Sequence, residues 1–339
     1  MPIMIFSSTP ARIASLESMP DFWRGGVVAI GNFDGVHRGH QAVLGAARAE
    51  AERRGVACLM LTFEPHPREF FSGRPLFRLT PLSLKAAAAA AVGIDGTLVL
   101  EFDADPAEWS AEDFLRTMLV ERLAIQAAVT GHDFHFGKSR RGTPQFLREQ
   151  GALSGFAVTV VDSFEDAAEA VSSTRIRAAL TQGDMATANA LLGWSWSVSG
   201  LVIHGKARGR ELGYPTANMA LDPAVELALG IYAVRYLRPD GSLHAGVASF
   251  GRRPTFDHGE TLLETHLFDF DGDLYGETAL VSFSAFIRPE LKFDSIEALI
   301  AQMDGDSLDS RAILAAGQPG ALDRGIRSAW LGLSRNGDD

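Results

Sequence analysis

Near Gly193 the hydrophobic period of this chain changes, and that change limits the architectures open to it. Before it, short apolar runs alternate with helical segments. Val27 to Ile30 reads as a buried strand closed by Gly31, and His40 to Arg54 as a helix stopped by Gly55. Val56 to Thr62 is a second strand, Leu82 to Val92 a second helix, and Thr97 to Glu101 a third strand. Ser110 caps a helix running to about Arg122, and strands Ala127 to Thr130 and Ala157 to Val161 flank a helix near Pro144 to Glu149. Such alternation predicts a Rossmann-like α/β domain, a parallel sheet covered on both faces, with ligands at the carboxyl ends of its strands.

After Gly193, apolar and polar residues alternate over Val198–His204, Ile231–Leu237, His244–Phe250, Thr261–Phe268 and Ala279–Ile287. Turn signals such as Pro239-Asp240-Gly241 and Asp271-Gly272-Asp273 separate these runs, which predicts an antiparallel sheet closed into a small barrel. A helical tail follows over Ser295–Met303, with weaker helix near Leu308–Ala315 and Asp323–Leu331. The boundary is expected between Leu180 and Ser197, giving domains 1–185 and 186–339.

The net charge of −11 argues against a general nucleic-acid binder. Phosphate chemistry would therefore need local islands of positive charge. Hydrophobic residues at 46% and charged residues at 22% exclude a disordered or fibrous chain. The single cysteine, Cys58, sits in an apolar run and reads as a buried structural thiol. No stretch reaches the length of a membrane span, and the first residues lack the pattern of a signal peptide. The expectation is a two-domain cytoplasmic enzyme with no membrane partner, its oligomeric state unset by any motif.

Three polar islands fall in the first half. Gly31-Asn32-Phe33-Asp34-Gly35-Val36-His37-Arg38-Gly39-His40 follows a strand and opens a helix, so its amides and helix N-terminus suit an anion. His37 and His40, three apart, lie on one side, where imidazoles can donate to phosphate oxygens as charge develops. No third ligand at metal spacing accompanies them. The second island, Val129 to Thr143, follows another strand. Its Asp133 can bond a ribose or base, while Lys138, Arg140 and Arg141 are phosphate contacts or a solvated loop. The third, Val171 to Leu180, offers Ser172, Ser173 and Thr174 followed by Arg175 and Arg177, and reads either as a well-capped helix or as a polyphosphate clamp of hydroxyls, first-turn amides and a guanidinium.

The second half carries Gly205-Lys206-Ala207-Arg208-Gly209-Arg210, a cationic loop suited to covering ATP phosphates though not a Walker A motif. Pro215-Thr216-Ala217-Asn218 reads as a rigid turn that offers two oxygen ligands acceptable to Mg²⁺. Alternation puts Glu264 and His266 on one strand face, opposite Leu263, Thr265 and Leu267. That face is either solvated or the wall of a pocket with Glu264 as general base, and periodicity alone does not choose.

Taken together, the HxGH and SSTRIR motifs resemble the nucleotidyltransferase superfamily. GNFDGVHRGHQ, TFEPHP, HDFHFG and SSTRIR stand in the order of the N-terminal module of the bacterial bifunctional riboflavin kinase/FMN adenylyltransferase (FAD synthetase) family. PTAN, GIYAV, GVASFGRRPTF, ETHLFDFDGDLYGE and RPELKFDS are similar to its kinase module, again in order. The resemblance implies a nucleotidyltransferase-type sheet that adenylylates FMN to FAD, and a Greek-key barrel that phosphorylates riboflavin to FMN. It implies ATP as co-substrate in both reactions. His37 and His40 would contact the ATP phosphates, with Gly31, Asn32, Phe33 and Asp133 beside the nucleotide and Ser173, Thr174 and Arg177 on the triphosphate. In the barrel, Gly205 and Lys206 would cover ATP, Thr216 and Asn218 would bind Mg²⁺–ATP, and Glu264 would accept the hydroxyl proton. Departures from the family pattern are Gly193-Trp194-Ser195-Trp196 at the joint, Ser249-Phe250, and Trp109. The rival readings are a nucleotidyltransferase for a non-flavin substrate and a flavin-binding regulator without turnover.

Overall fold

A computed structural model describes residues 11–205, 213–252 and 261–336. Two compact units emerge, one from residues up to 76, 80–172 and 324 onward, the other from 77–79 and 173–323.

The first unit is built on six parallel strands: β1 (Ile13–Ala14), β2 (Val27–Ile30), β3 (Cys58–Glu64), β4 (Gly96–Glu101), β5 (Ala127–Gly131) and β6 (Ala157–Val161), in the order β1-β4-β3-β2-β5-β6. Every residue of β2 is buried, as is expected of a parallel strand covered on both faces. Helices α1 (Arg38–Arg54), α2 (Pro67–Ser72), α3 (Leu82–Ala91) and α4 (Pro144–Ser154) connect the strands. Gly55 ends α1 in the left-handed conformation, the stop expected from the sequence. Ser110 caps its helix by accepting from the Asp113 amide, and the chain then winds as a π-helix over Phe114–Arg122. The alanine run of α3 is buried, and Gly325 of the C-terminal helix lies against its Ala91. A short hairpin, β7 (Glu165–Asp166) with β8 (Glu169–Ala170), leads into Ser172.

The second unit begins with α5 (Ser173–Gln182) and α6 (Met185–Leu192). Strands β9 (Ser197–Ile203), β10 (Ala217–Ala220), β11 (Gly230–Leu237), β12 (Leu243–Arg252), β13 (Thr261–Leu267) and β14 (Thr278–Pro289) then close an antiparallel barrel in the order β10-β13-β12-β11-β14-β9. Tyr232, Val234, Ala248, Leu263 and Phe283 are fully buried within it. Trp196, from the departing joint sequence, is core: it packs on Phe283, and its indole N–H donates to the Leu79 carbonyl at 3.0 Å. Both predicted architectures, the parallel sheet and the barrel with its helical tail, are thus present.

Two local expectations are corrected. Pro215-Thr216-Ala217-Asn218 is not a free-standing turn, because Ala217 and Asn218 enter β10 and pair with β13. The tail is not interrupted after Met303: one helix, α7, runs from Ile296 to Ala316, followed by α8 (Ala321–Asn336). Gly305 and its aspartates lower helix propensity there, but tertiary bonds override it. Asp306 is buried and accepts from Arg288 at 2.8 and 2.6 Å and from Gln302 at 2.9 Å. On the barrel's outer face Leu314 of α7 packs with Ala233 and Phe268.

Candidate functional site

In the first unit the polar loops gather at the carboxyl ends of neighbouring strands. The Gly31–His37 loop leaves β2 with Phe33 at φ 49° and Val36 at φ 39°, conformations that disfavour side chains and persist only when held. Thr80 supplies one clamp: its amide donates to Asp34 Oδ1 at 3.1 Å, and its hydroxyl accepts from the Gly35 amide at 3.0 Å. The Gln41 side chain donates to the Val36 carbonyl at 2.8 Å. Phe33, Asp34, Val36 and His37 are all buried, whereas Asn32 is exposed.

His37 is the N-cap of α1, and its Nδ1 accepts the His40 amide at 3.3 Å. In the neutral ring the proton then sits on Nε2, which is left to donate. The two imidazoles stack with centroids 3.6 Å apart and planes 17° from parallel. A Cβ on Gly39 would come within 3.2 Å of the His37 ring, so any larger residue there would crowd the stack. Burial pushes the His37 ring down to about 4, against the opposing charge of Asp133. Burial also holds His40 well below the ordinary histidine range, reinforced by His37 and Lys85. Both rings are therefore neutral at pH 7. The His40 Nδ1 is buried without a hydrogen-bond partner among the described residues.

Asp133 stands just beyond β5, the direct neighbour of β2. Gly31, Asn32, Phe33, His37, His40 and Asp133 thus share one sheet edge. Of the cations in the second island, Lys138 is paired with Glu108 at 2.5 Å, while Arg140 and Arg141 are exposed. The Val171 carbonyl lies 3.6 Å from the position of a Gly39 Cβ, so the chain leading into SSTRIR passes beside HxGH. Ser173, Thr174 and Arg177 themselves belong to the second unit, on α5. There the Arg177 Nε donates to the Phe77 carbonyl at 2.6 Å.

In the barrel, register shows which residues stand beside Glu264. Asn218 of β10 lies directly opposite Glu264 of β13, and Glu264 lies opposite Ser249 of β12. Directly paired residues point to one face, so Asn218, Glu264 and Ser249 form a polar row. Leu263, Thr265 and Leu267 are buried on the opposite, core-facing side. Glu264 is partly buried and Asn218 is only 3% exposed. The Asn218 Nδ2 donates to the Thr216 carbonyl at 3.3 Å, while its Oδ1 has no partner among the described residues. A Cβ on Gly205 would sit 2.4 Å from Asn218 Nδ2, so glycine alone lets that chain approach the amide. Lys206 lies outside the described residues. His266, two residues along β13, lies on the same strand face and donates from Nδ1 to the Pro215 carbonyl at 2.9 Å, fixing the start of the PTAN segment. The Tyr214 hydroxyl, just before it, bonds Asp304 of α7.

Sequence reasoning missed Ser249, Thr62, Thr80 and Lys85 as parts of these sites. The available signals were Thr62 at the head of TFEPHP, Ser249 as a departure from the family pattern, and Lys85 as a lone charge in the otherwise uncharged segment of α3.

Two family models match separate stretches of the chain. Residues 19–175 match the FAD synthetase family model and residues 192–314 the riboflavin kinase model. A bifunctional riboflavin kinase/FMN adenylyltransferase from Listeria monocytogenes is 41% identical over 293 residues, covering 85% of this chain and 92% of its own. The protein of that name from Escherichia coli is 38% identical over 308 residues, covering 91% and 98%. A crystal structure from Streptococcus pneumoniae, described as a macrolide-efflux protein, superposes with a TM-score of 0.78 at 30% identity, covering 88% and 98%. That description belongs to that protein; here no described helix is long and apolar enough to cross a membrane. With relatives of this identity along most of its length, the chain belongs to the bifunctional riboflavin kinase/FMN adenylyltransferase family, its FAD synthetase region N-terminal and its riboflavin kinase region C-terminal.

Proposed function

We propose that this chain makes FMN and FAD from riboflavin and ATP at two separate sites, residues 1–185 carrying adenylyl transfer and 186–339 the kinase. At the first site the FMN phosphate attacks the ATP α-phosphorus and pyrophosphate leaves. No covalent protein intermediate is needed, so alignment and charge stabilisation do the work. Neutral His37 and His40 at the N-terminus of α1 donate to phosphate oxygens as charge builds in the transition state, and the helix end favours the same anion. Asp133 bonds the nucleoside, the Gly31-Asn32-Phe33 backbone borders it, and Ser173, Thr174 and Arg177 hold the polyphosphate.

In the barrel the riboflavin 5′-hydroxyl attacks the ATP γ-phosphorus, Glu264 accepts its proton, and ADP leaves. Gly205 and Lys206 border the phosphates. The oxygens of Thr216 and Asn218 suit a hard cation, and the buried Asn218 Oδ1, without a hydrogen-bond partner among the described residues, supports their holding Mg²⁺. When bound, that ion neutralises charge between the β- and γ-phosphates. The single observation that carries the kinase reading is the cross-strand pairing of Asn218 with Glu264, which sets a general base beside an oxygen ligand.

The direct test is to incubate the full chain with riboflavin, ATP and Mg²⁺ and separate the flavins by chromatography. FMN should appear first and FAD after it; unchanged riboflavin would overturn the reading. A sharper prediction concerns Gly205→Ala. Its methyl group would displace the Asn218 amide, so riboflavin phosphorylation should fall about tenfold or more, following the cost of small misplacements. FAD formation from supplied FMN should stay at the wild-type rate.

A further inference from the structure

Lys85 is buried (3% exposed) on α3, a helix whose following residues are all alanine to Ala91. Its Nζ donates to Glu64 Oε1 at 2.9 Å and to Thr62 Oγ1 at 3.2 Å. The Thr62 hydroxyl, also buried, donates its one proton to the Asn32 carbonyl at 3.1 Å. Asn32 immediately precedes Phe33, the residue at φ 49°, whose ring meets His40 edge-on with centroids 5.4 Å apart. A left-handed backbone at a phenylalanine costs about 1 kcal/mol or more and needs surroundings that over-determine it. On one side Thr80 provides them. On the other, the polar link from α3 through β3 ends on the peptide just before the strained residue.

We propose that Lys85 is a positioning residue for adenylyl transfer, fixing the Asn32 peptide through Thr62 and so seating Phe33 and His40 in the HxGH site. This inference rests on the reading of HxGH as the adenylyl-transfer centre. A purely structural ion pair with Glu64 explains less. Buried pairs are replaced by apolar side chains with little or no loss of stability, and the neighbouring alanines show that this face of α3 has no need of a charge. Stability alone therefore gives no reason for an ammonium here, whereas a donor to Thr62 does.

Lys85 also acts through its charge. Among the described residues, His37 at the end of α1 and Lys85 on α3 are the titratable groups that bear on His40. Glu64 of β3 pairs with Lys85, and Asp133 beyond β5 bears on His37. Removing the ammonium removes a neighbour that opposes protonation of His40.

The experiment uses full-length Lys85→Met and Thr62→Val proteins, with FAD formation from supplied FMN and riboflavin phosphorylation measured on each. Lys85→Met should lower kcat for FAD formation about tenfold, the worth of one well-placed hydrogen bond, with phosphorylation unchanged. The His40 ionisation in its pH profile should move upward. Thr62→Val should lower kcat likewise but leave that ionisation in place, because the charge remains. A Lys85→Met protein that melts earlier yet keeps the wild-type kcat and pH profile would make the pair structural and overturn the proposal. If Lys85→Met does not fold, an unaltered kcat in Thr62→Val overturns it equally. Failure of the wild-type chain to adenylylate FMN would instead sink the functional reading, a different result on the same assay.

Discussion

Glu264→Ala should all but stop FMN formation while FMN supplied from outside is still converted to FAD. The expected fall in riboflavin phosphorylation is about a thousandfold, within the range for losing a positioned general base. Register gives the reason: Glu264 stands between Asn218 and Ser249 in one polar row, with the barrel core on the other side of the strand. The substitution therefore empties no core volume, and the variant should remain folded, losing no more than about 1–2 kcal/mol of stability. Glu264→Gln separates proton acceptance from alignment. The amide keeps the size and one oxygen but cannot take the hydroxyl proton, so it should fail nearly as badly as alanine. A Glu264→Gln protein with wild-type turnover would show that this carboxylate only orients substrate. Loss of both activities in a folded Glu264→Ala chain would show that the two sites are not independent.

Why so much of this was legible follows from where the signals lie. The unbroken apolar run of β2 and the alternation along β13 are the two patterns that burial imposes on strands. The strand–loop–helix around HxGH was readable because a glycine-rich segment after a buried strand has few structural alternatives. Long-range pairing was not readable. PTAN looked like a turn because Pro215 and Asn218 favour turns, yet its second half is a strand because β9 and β13 lie on either side of it. The unbroken α7 was hidden for the same reason, since the bonds that carry it past Gly305 come from Arg288 on β14. Thr80 lies in no motif, and Thr62 opens TFEPHP without any sign of its target; both reach the Asn32–Gly35 loop only through folding. The face of Glu264 was fixed by alternation, but its partnership with Asn218 needed the register between two strands distant in sequence.

Replacing both His37 and His40 by alanine should stop FAD synthesis and spare riboflavin phosphorylation, the converse of the barrel variant. FMN would then accumulate from riboflavin and ATP without further conversion. On the proposed reading two donors to developing phosphate charge would be lost together, and removing even one such donor costs on the order of a hundredfold or more. The same variant has a signature in stability. The His37 ring ionises at about 4 when folded, with burial as the cause, and His40 is depressed in the same sense. Between the ordinary histidine value of about 6.5 and that folded value, the unfolded chain binds protons that the folded chain refuses. The native protein is therefore fully stabilised above about 6.5 and loses stability as pH falls through this window. Without the two rings that slope should flatten, a change readable in urea denaturation curves taken on either side of the window. A double variant that keeps the wild-type slope would show that the rings are not buried and neutral. Their stacking at the helix end would then lack the uncharged, donor-bearing character on which their role in adenylyl transfer depends.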